Sequence, residues 1–100
     1  LYKNKFLELV FVCIFSRNLY LGLSGNDVKQ LQIYLNNNGF IVSEFGSGSL
    51  GNETEFFGKS TKKALIKFQE AYSKEILNPV GAKIGTGYFG LSTRNFINSR

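Results

Sequence analysis

GNDVKQLQIYLNNNGF, residues Gly25 to Phe40, carries the start, the apolar stripe and the stop of one amphipathic helix. Ser24 stands three residues before Asp27, a capping-box spacing in which each side chain satisfies an orphan backbone donor of the first turn. At about 100° per residue, Val28, Leu31 and Leu35 fall on one narrow face, while Lys29, Ile33, Asn36 and Asn37 point away from it. Gly39 supplies the left-handed residue that ends a helix, and Phe40 is placed to fold back as the apolar anchor beyond it. A helix this short is marginal on its own, so the remaining chain must cover its stripe.

The cover is available. The chain has 100 residues, enough for one domain with a modest core. Its ten phenylalanines and five tyrosines are bulky core material. Each such side chain contributes about 1.5–3 kcal/mol when fully buried. Twelve basic against seven acidic residues leave a net charge of +5. That balance suits an anionic partner such as wall polymer, nucleic acid or lipid headgroups without choosing among them. With no histidine, imidazole-dependent triads and His-containing zinc sites are excluded. The single cysteine, Cys13, leaves no intramolecular disulfide, so packing must hold the fold.

Residues 1–16 differ from the rest and are read as an N-terminal apolar extension, with the domain proper over 17–100. Lys3 and Lys5 precede an apolar run that only Glu8 interrupts. The run falls short of the roughly 20 residues a bilayer span requires. It has the outline of a signal peptide but no small-residue cleavage site, and Val12 before Cys13 argues against a lipoprotein site. A strand, a helix or the remnant of an upstream region fits the same letters. The chain starts with Leu rather than Met, so a longer protein is expected around it. Beyond it, Leu19, Leu21 and Leu23 share one side of a short extended segment that leads into the first helix.

Residues 43–55, SEFGSGSLGNETE, have loop composition. Residues 56–72 then predict a second helix, with Thr61, Ala64, Leu65, Phe68 and Tyr72 on one face. Lys59, Lys62, Lys63, Lys67 and Glu70 lie opposite, and Ile66 sits exposed among the lysines. Residues 73–87 read as irregular, with Ile76, Leu77, Val80 and Ile84 plugging the core from a loop. Tyr88 to Ser99 opens a short third helix with Phe96 and Ile97 inward. The whole predicts a mainly α chain, a compact three-helix bundle with long Gly-rich loops.

A repeat runs through this pattern. Phe56-Phe57-Gly58-Lys59-Ser60-Thr61 returns thirty-two residues later as Tyr88-Phe89-Gly90-Leu91-Ser92-Thr93. In each copy an aromatic pair meets a glycine, which permits a sharp turn and close approach of the backbone, and then a helix start. An aromatic plug followed by a helix cap accounts for both copies without a ligand. The helices echo each other too, Val28-x-x-Leu31-Gln32 against Leu65-x-x-Phe68-Gln69. A glutamine at the edge of an apolar face can bond to a loop backbone or to a bound amide.

The succession D-V-x-x-L-Q, F-G-x-x-T-x-x-A-L-x-x-F-Q and G-Y-F-G-x-x-T-R, from Leu19 to Asn98, resembles the peptidoglycan-binding domain family. Lys59 and Leu91 stand where the family often has proline, and the connecting loops are longer than usual. The resemblance implies a non-catalytic, extracellular or cell-wall-associated module (periplasmic where an outer membrane exists). It implies a partner in the peptidoglycan glycan strand or stem peptide, and a covalently linked hydrolase or surface domain. It implies no cofactor, no metal, no nucleic acid and no membrane span. The residues expected to bind stand at the loop-to-helix junctions. Tyr88 would be the platform for a sugar face and Arg94 the carboxylate partner; Thr61 and Thr93 would offer hydroxyls, and Gln69 an amide. Phe57 and Asp27 complete the set, Phe57 with a core role beneath and Asp27 with a capping role beside any ligand role. A small basic three-helix nucleic-acid or protein-interaction module is the alternative, since a fold does not settle a function. An enzyme would have to rely on Glu44, Glu53 and Glu55 in the Gly-Ser loop, a poor place to fix two carboxyls.

Overall fold

A computed structural model of the chain describes residues 14–100. The apolar run through Cys13, with its signal-like outline, lies outside the described residues. Within them the chain is helical: α1 (Asn26–Asn37), α2 (Lys59–Ala71), a one-turn α3 (Ser73–Ile76), a 3-10 turn (Asn78–Val80) and α4 (Leu91–Asn98). No strand forms among the described residues, but two isolated antiparallel bridges join Leu19 to Phe89 and Ser24 to Phe56. The segment before α1 therefore runs past the N-terminal ends of both α2 and α4.

The predicted stripe of α1 is buried: Val28, Leu31 and Leu35 are all fully enclosed. They share a core with Ala64, Leu65 and Phe68 of α2 and with Ile97 of α4. α1 packs on α2, and α3 packs on both α2 and α4. Phe57 and Phe89, one from each copy of the repeat, fill the space below the two helix starts with no exposure at all. Phe68 is the hub of an aromatic cluster, with Tyr34 and Phe40 edge-on at 5.7 and 5.3 Å and Tyr72 and Phe96 tilted at 5.1 and 6.0 Å.

The stop of α1 forms as its sequence requires. Gly39 has φ 88°, in the left-handed region, and the Phe40 amide returns to the Leu35 carbonyl at 2.9 Å. Phe40 then lies against Phe68 and Tyr72.

Its start differs from the expected capping box. The residue before the helix is Gly25, and no side chain caps the first turn. Ser24 is taken up by the bridge to Phe56. Asp27 is gripped instead by the Arg17 fork, Nε to Oδ2 at 2.7 Å and Nη2 to Oδ1 at 3.0 Å, while Nη2 also donates to the Ser24 carbonyl at 2.9 Å. These bonds lower the Asp27 pKa and raise that of Arg17.

Other expectations are corrected by contacts that periodicity does not encode. Asn36 turns inward and is 5% exposed. It donates to the Gly48 carbonyl and the Glu53 carboxylate, and accepts from the Val42 amide at 2.8 Å. One buried amide thus ties the long loop to α1. α2 begins at Lys59 rather than Phe56, because the Phe57 backbone is spent on Gly22 and Leu23 and that of Phe56 on the Gln32 and Thr54 side chains. Leu21 does not share the side of Leu19 and Leu23, since a turn from Tyr20 to Leu23 leaves it exposed. Ile66 is half-covered, its backbone lying under Gly85. Ile76 and Leu77 do plug the core, but Val80 and Ile84 are exposed at 60% and 71%. Phe15 is 4% exposed, packs edge-on against Phe89 at 5.0 Å, and exchanges two hydrogen bonds with the Asn98 side chain.

Candidate functional site

The repeat folds into two corners, at the starts of α2 and α4, that are built in the same way. In the first, the Gln32 amide nitrogen donates to the Phe56 carbonyl at 3.0 Å and to the Thr61 hydroxyl at 2.9 Å, while its oxygen accepts from the Thr54 amide at 2.8 Å. In the second, the Gln69 nitrogen donates to the Tyr88 carbonyl at 2.9 Å and to the Thr93 hydroxyl at 3.2 Å. Its oxygen accepts from the Thr86 and Gly87 amides, both at 2.9 Å. The Phe56 and Tyr88 amides in turn donate to the Thr54 and Thr86 hydroxyls at 3.3 and 3.0 Å. Of the two uses open to such a glutamine, the loop backbone is the one realised. The repeat also extends two residues upstream of its obvious part, to Thr54 and Thr86, at the same offset.

Each clasp sorts its aromatic pair. The second ring, Phe57 or Phe89, goes into the core, and the first, Phe56 or Tyr88, stays 54% or 45% exposed. The outward ring folds over the glycine that precedes the helix. A Cβ on Gly58 would meet the Phe56 ring at 3.2 Å, and one on Gly90 the Tyr88 ring at 2.9 Å. A side chain at either position would crowd the ring folded over it, more tightly at Gly90 than at Gly58.

This geometry divides the expected binding residues into a surface layer and a support beneath it. Thr61, Thr93, Gln69 and Phe57 are all at 2% exposure or less. The polar groups of the first three are spent on the clasps. Tyr88 and Arg94 reach the surface, linked through the segment before α1. The Leu19–Phe89 bridge buries its own pair, so alternation puts Asn18 and Tyr20 on the outer side. There Tyr20 stacks on Tyr88 at 5.9 Å with 16° between ring planes. Asn18 accepts from Arg94 Nη2 at 3.0 Å, and Arg94 Nε is buried with no hydrogen-bond partner among the described residues. Asp27 lies beyond the same segment's far end, paired with Arg17. Tyr20 is the surface residue that sequence reasoning missed, since its role comes from a bridge between distant segments. Phe56 was legible as the counterpart of Tyr88 in the repeat.

Tyr88 also forms one edge of an open groove of about 370 Å³ between α3, the 3-10 turn and the start of α4. Its walls are apolar, including Leu77, Val80, Ala82 and Leu91. Its floor reaches Gln69 and Thr93, whose hydrogen-bonding groups are already committed. Ser92 Oγ donates to the Ile76 carbonyl at 2.7 Å and so fixes the two sides of the groove. An aromatic ledge beside an apolar trough suits a ligand with flat apolar faces and polar edges, such as a pyranose carrying amide groups. No group of acidic, histidine or cysteine side chains among the described residues is placed to hold a metal ion. No helix among them is long and apolar enough to cross a membrane.

Comparison with known proteins finds a family profile over residues 24–96, described as "Putative peptidoglycan binding domain". Neither a comparison with curated proteins nor one with solved structures gives a match. The profile spans α1, both corners and most of α4, about three-quarters of the chain, and the chain belongs to this peptidoglycan-binding domain family.

Proposed function

We propose that the domain holds peptidoglycan on the Tyr20–Tyr88 ledge and serves as a non-catalytic anchor for a linked wall-active or surface protein. The observation that carries this reading is the exposed stacked tyrosine pair, held by the Gln69 clasp at the mouth of an apolar groove in a chain of this family. A sugar ring rests against the exposed side of the Tyr20–Tyr88 stack, its acetamido methyl toward the groove walls. Arg94, half-buried and already bonded to Asn18, is assigned a stem-peptide carboxylate. The partner places the domain in the cell wall, outside the cytoplasmic membrane.

A helix-turn-helix mode of nucleic-acid binding finds little support in α4. The helix is eight residues long and carries a single basic residue, Arg94, and just beyond it the Arg100 guanidinium lies over the Tyr72 and Phe96 rings at 5.1 and 4.8 Å.

The test is co-sedimentation with insoluble peptidoglycan, with chitin and cellulose as controls. The wild-type chain should pellet with peptidoglycan, and Tyr88→Ala and Tyr20→Ala should each cut the bound fraction while leaving the circular dichroism spectrum intact. Equal retention of folded variants and wild type would place the site elsewhere.

A further inference from the structure

The two corners stand close together. Leu19 exchanges both backbone hydrogen bonds with Phe89, at 3.0 and 2.9 Å. A few residues later, the Phe57 amide donates to the Leu23 carbonyl at 2.9 Å and the Gly22 amide to the Phe57 carbonyl at 2.8 Å. One short segment therefore laces both corners, and from Leu19 to Leu23 even a fully extended chain reaches at most about 14 Å. The turn that brings the Leu23 amide to the Tyr20 carbonyl at 3.1 Å shortens it further. The first bridge pairs two buried residues, Leu19 and Phe89, and the second pairs two exposed ones, Ser24 and Phe56. Leu19, Phe89 and Phe57 face the core, while Tyr20, Tyr88 and Phe56 are exposed on the outer side, with Leu21 exposed in the turn between them.

From this placement we infer that the ledge continues past Tyr88 to Phe56, forming one elongated site that takes a linear chain of several pyranose rings. The inference rests on the peptidoglycan reading and deepens it to the glycan strand as the contacted component. Apart from the Tyr20 stack, Phe56 is built like Tyr88 in the features that position its ring. A buried glutamine holds its carbonyl, a threonine hydroxyl accepts from its amide, and a glycine lies under its ring. It differs in lacking the phenol oxygen, so it offers an apolar face alone. Two such platforms laced to one short segment gain from a polymer what neither gains from a monomer, because the second contact becomes intramolecular. A stem peptide branching from one sugar would engage the Tyr88 end and leave Phe56 unused.

Binding of the whole chain to soluble wall glycan fragments of increasing length tests this, from a single disaccharide to strands of many disaccharides, all without stem peptides. For the wild type, affinity per strand should rise with length. Phe56→Ala should lower affinity for long strands about three- to tenfold and leave the disaccharide unchanged. Phe56→Tyr should keep the wild-type profile, since its counterpart is a tyrosine. Tyr88→Ala should weaken binding at every length. The inference is overturned if wild-type affinity does not depend on length, or if Phe56→Ala binds long strands as the wild type does. It is also overturned if Phe56→Tyr loses as much as Phe56→Ala. Retention on intact peptidoglycan without binding to any stripped glycan would reject the elongated glycan site but spare the wall reading. Absence of binding to both would reject the two together.

Discussion

Gln69 shows why a polar side chain belongs at the edge of an apolar helix face. At 1% exposure it closes five hydrogen bonds, and without it the buried Gly87 amide and Thr93 hydroxyl are orphaned. Each buried group orphaned in this way costs about 1–3 kcal/mol. Gln69→Leu, similar in size but without hydrogen bonds, is therefore expected to destabilise the domain by at least about 3 kcal/mol in urea unfolding. Gly90 makes the complementary prediction at the surface. A methyl there would meet the Tyr88 ring at 2.9 Å, so Gly90→Ala must push the ring off its stack with Tyr20. The variant should stay folded and lose peptidoglycan retention as Tyr88→Ala does. The residues behind both predictions were visible in the sequence, but their division of labour was not. Spacing marks Thr61, Thr93 and Gln69 as interesting, and only their burial shows that they build the ledge from below.

Among the elements, α1 was the most legible, because its apolar positions and its glycine stop follow from local geometry alone. Its start was not, because the partner that matters is distant. Asp27 answers first to Arg17, ten residues upstream, and only secondarily to the backbone of its own turn. Stability depends on pH as a result. The folded Asp27 pKa lies below its ordinary 3.8, so the pair's contribution is complete above that value and is lost as pH falls through the folded pKa. Glu53, lowered first by its bond from Asn36, adds a contribution of the same sign. Asp27→Asn should accordingly have a lower Tm than wild type near neutral pH, and the two melting curves should draw together as pH falls below the ordinary carboxylate range. The loop of residues 43–55 was legible as a loop. Its anchoring by Asn36 was not, since a helical wheel places that asparagine outside.

Across the whole molecule, the core is a joint product of segments too short to persist singly. Phe68 touches aromatic rings from α1, the chain beyond it, the end of α2 and α4, so its loss opens a cavity they all share. Phe68→Ala should cost about 3–5 kcal/mol, measured by thermal or denaturant unfolding. The bundle itself could be read from apolar periodicity. The ribbon across its top could not, because Leu19 joins Phe89, and Gly22 and Leu23 join Phe57, through backbone bonds that leave no periodic trace. That ribbon converts two local motifs into one surface, turning Tyr20, Tyr88 and Phe56 outward together.

Residue-resolved NMR titration of the isotopically labelled chain with soluble peptidoglycan fragments tests this picture most directly. The account predicts that amide shifts concentrate at residues 18–22, 56–58 and 88–94, and that the lysine face of α2 stays silent. Shifts confined to Lys59, Lys63 and Lys67, with the Tyr20–Tyr88 pair unmoved, would contradict it.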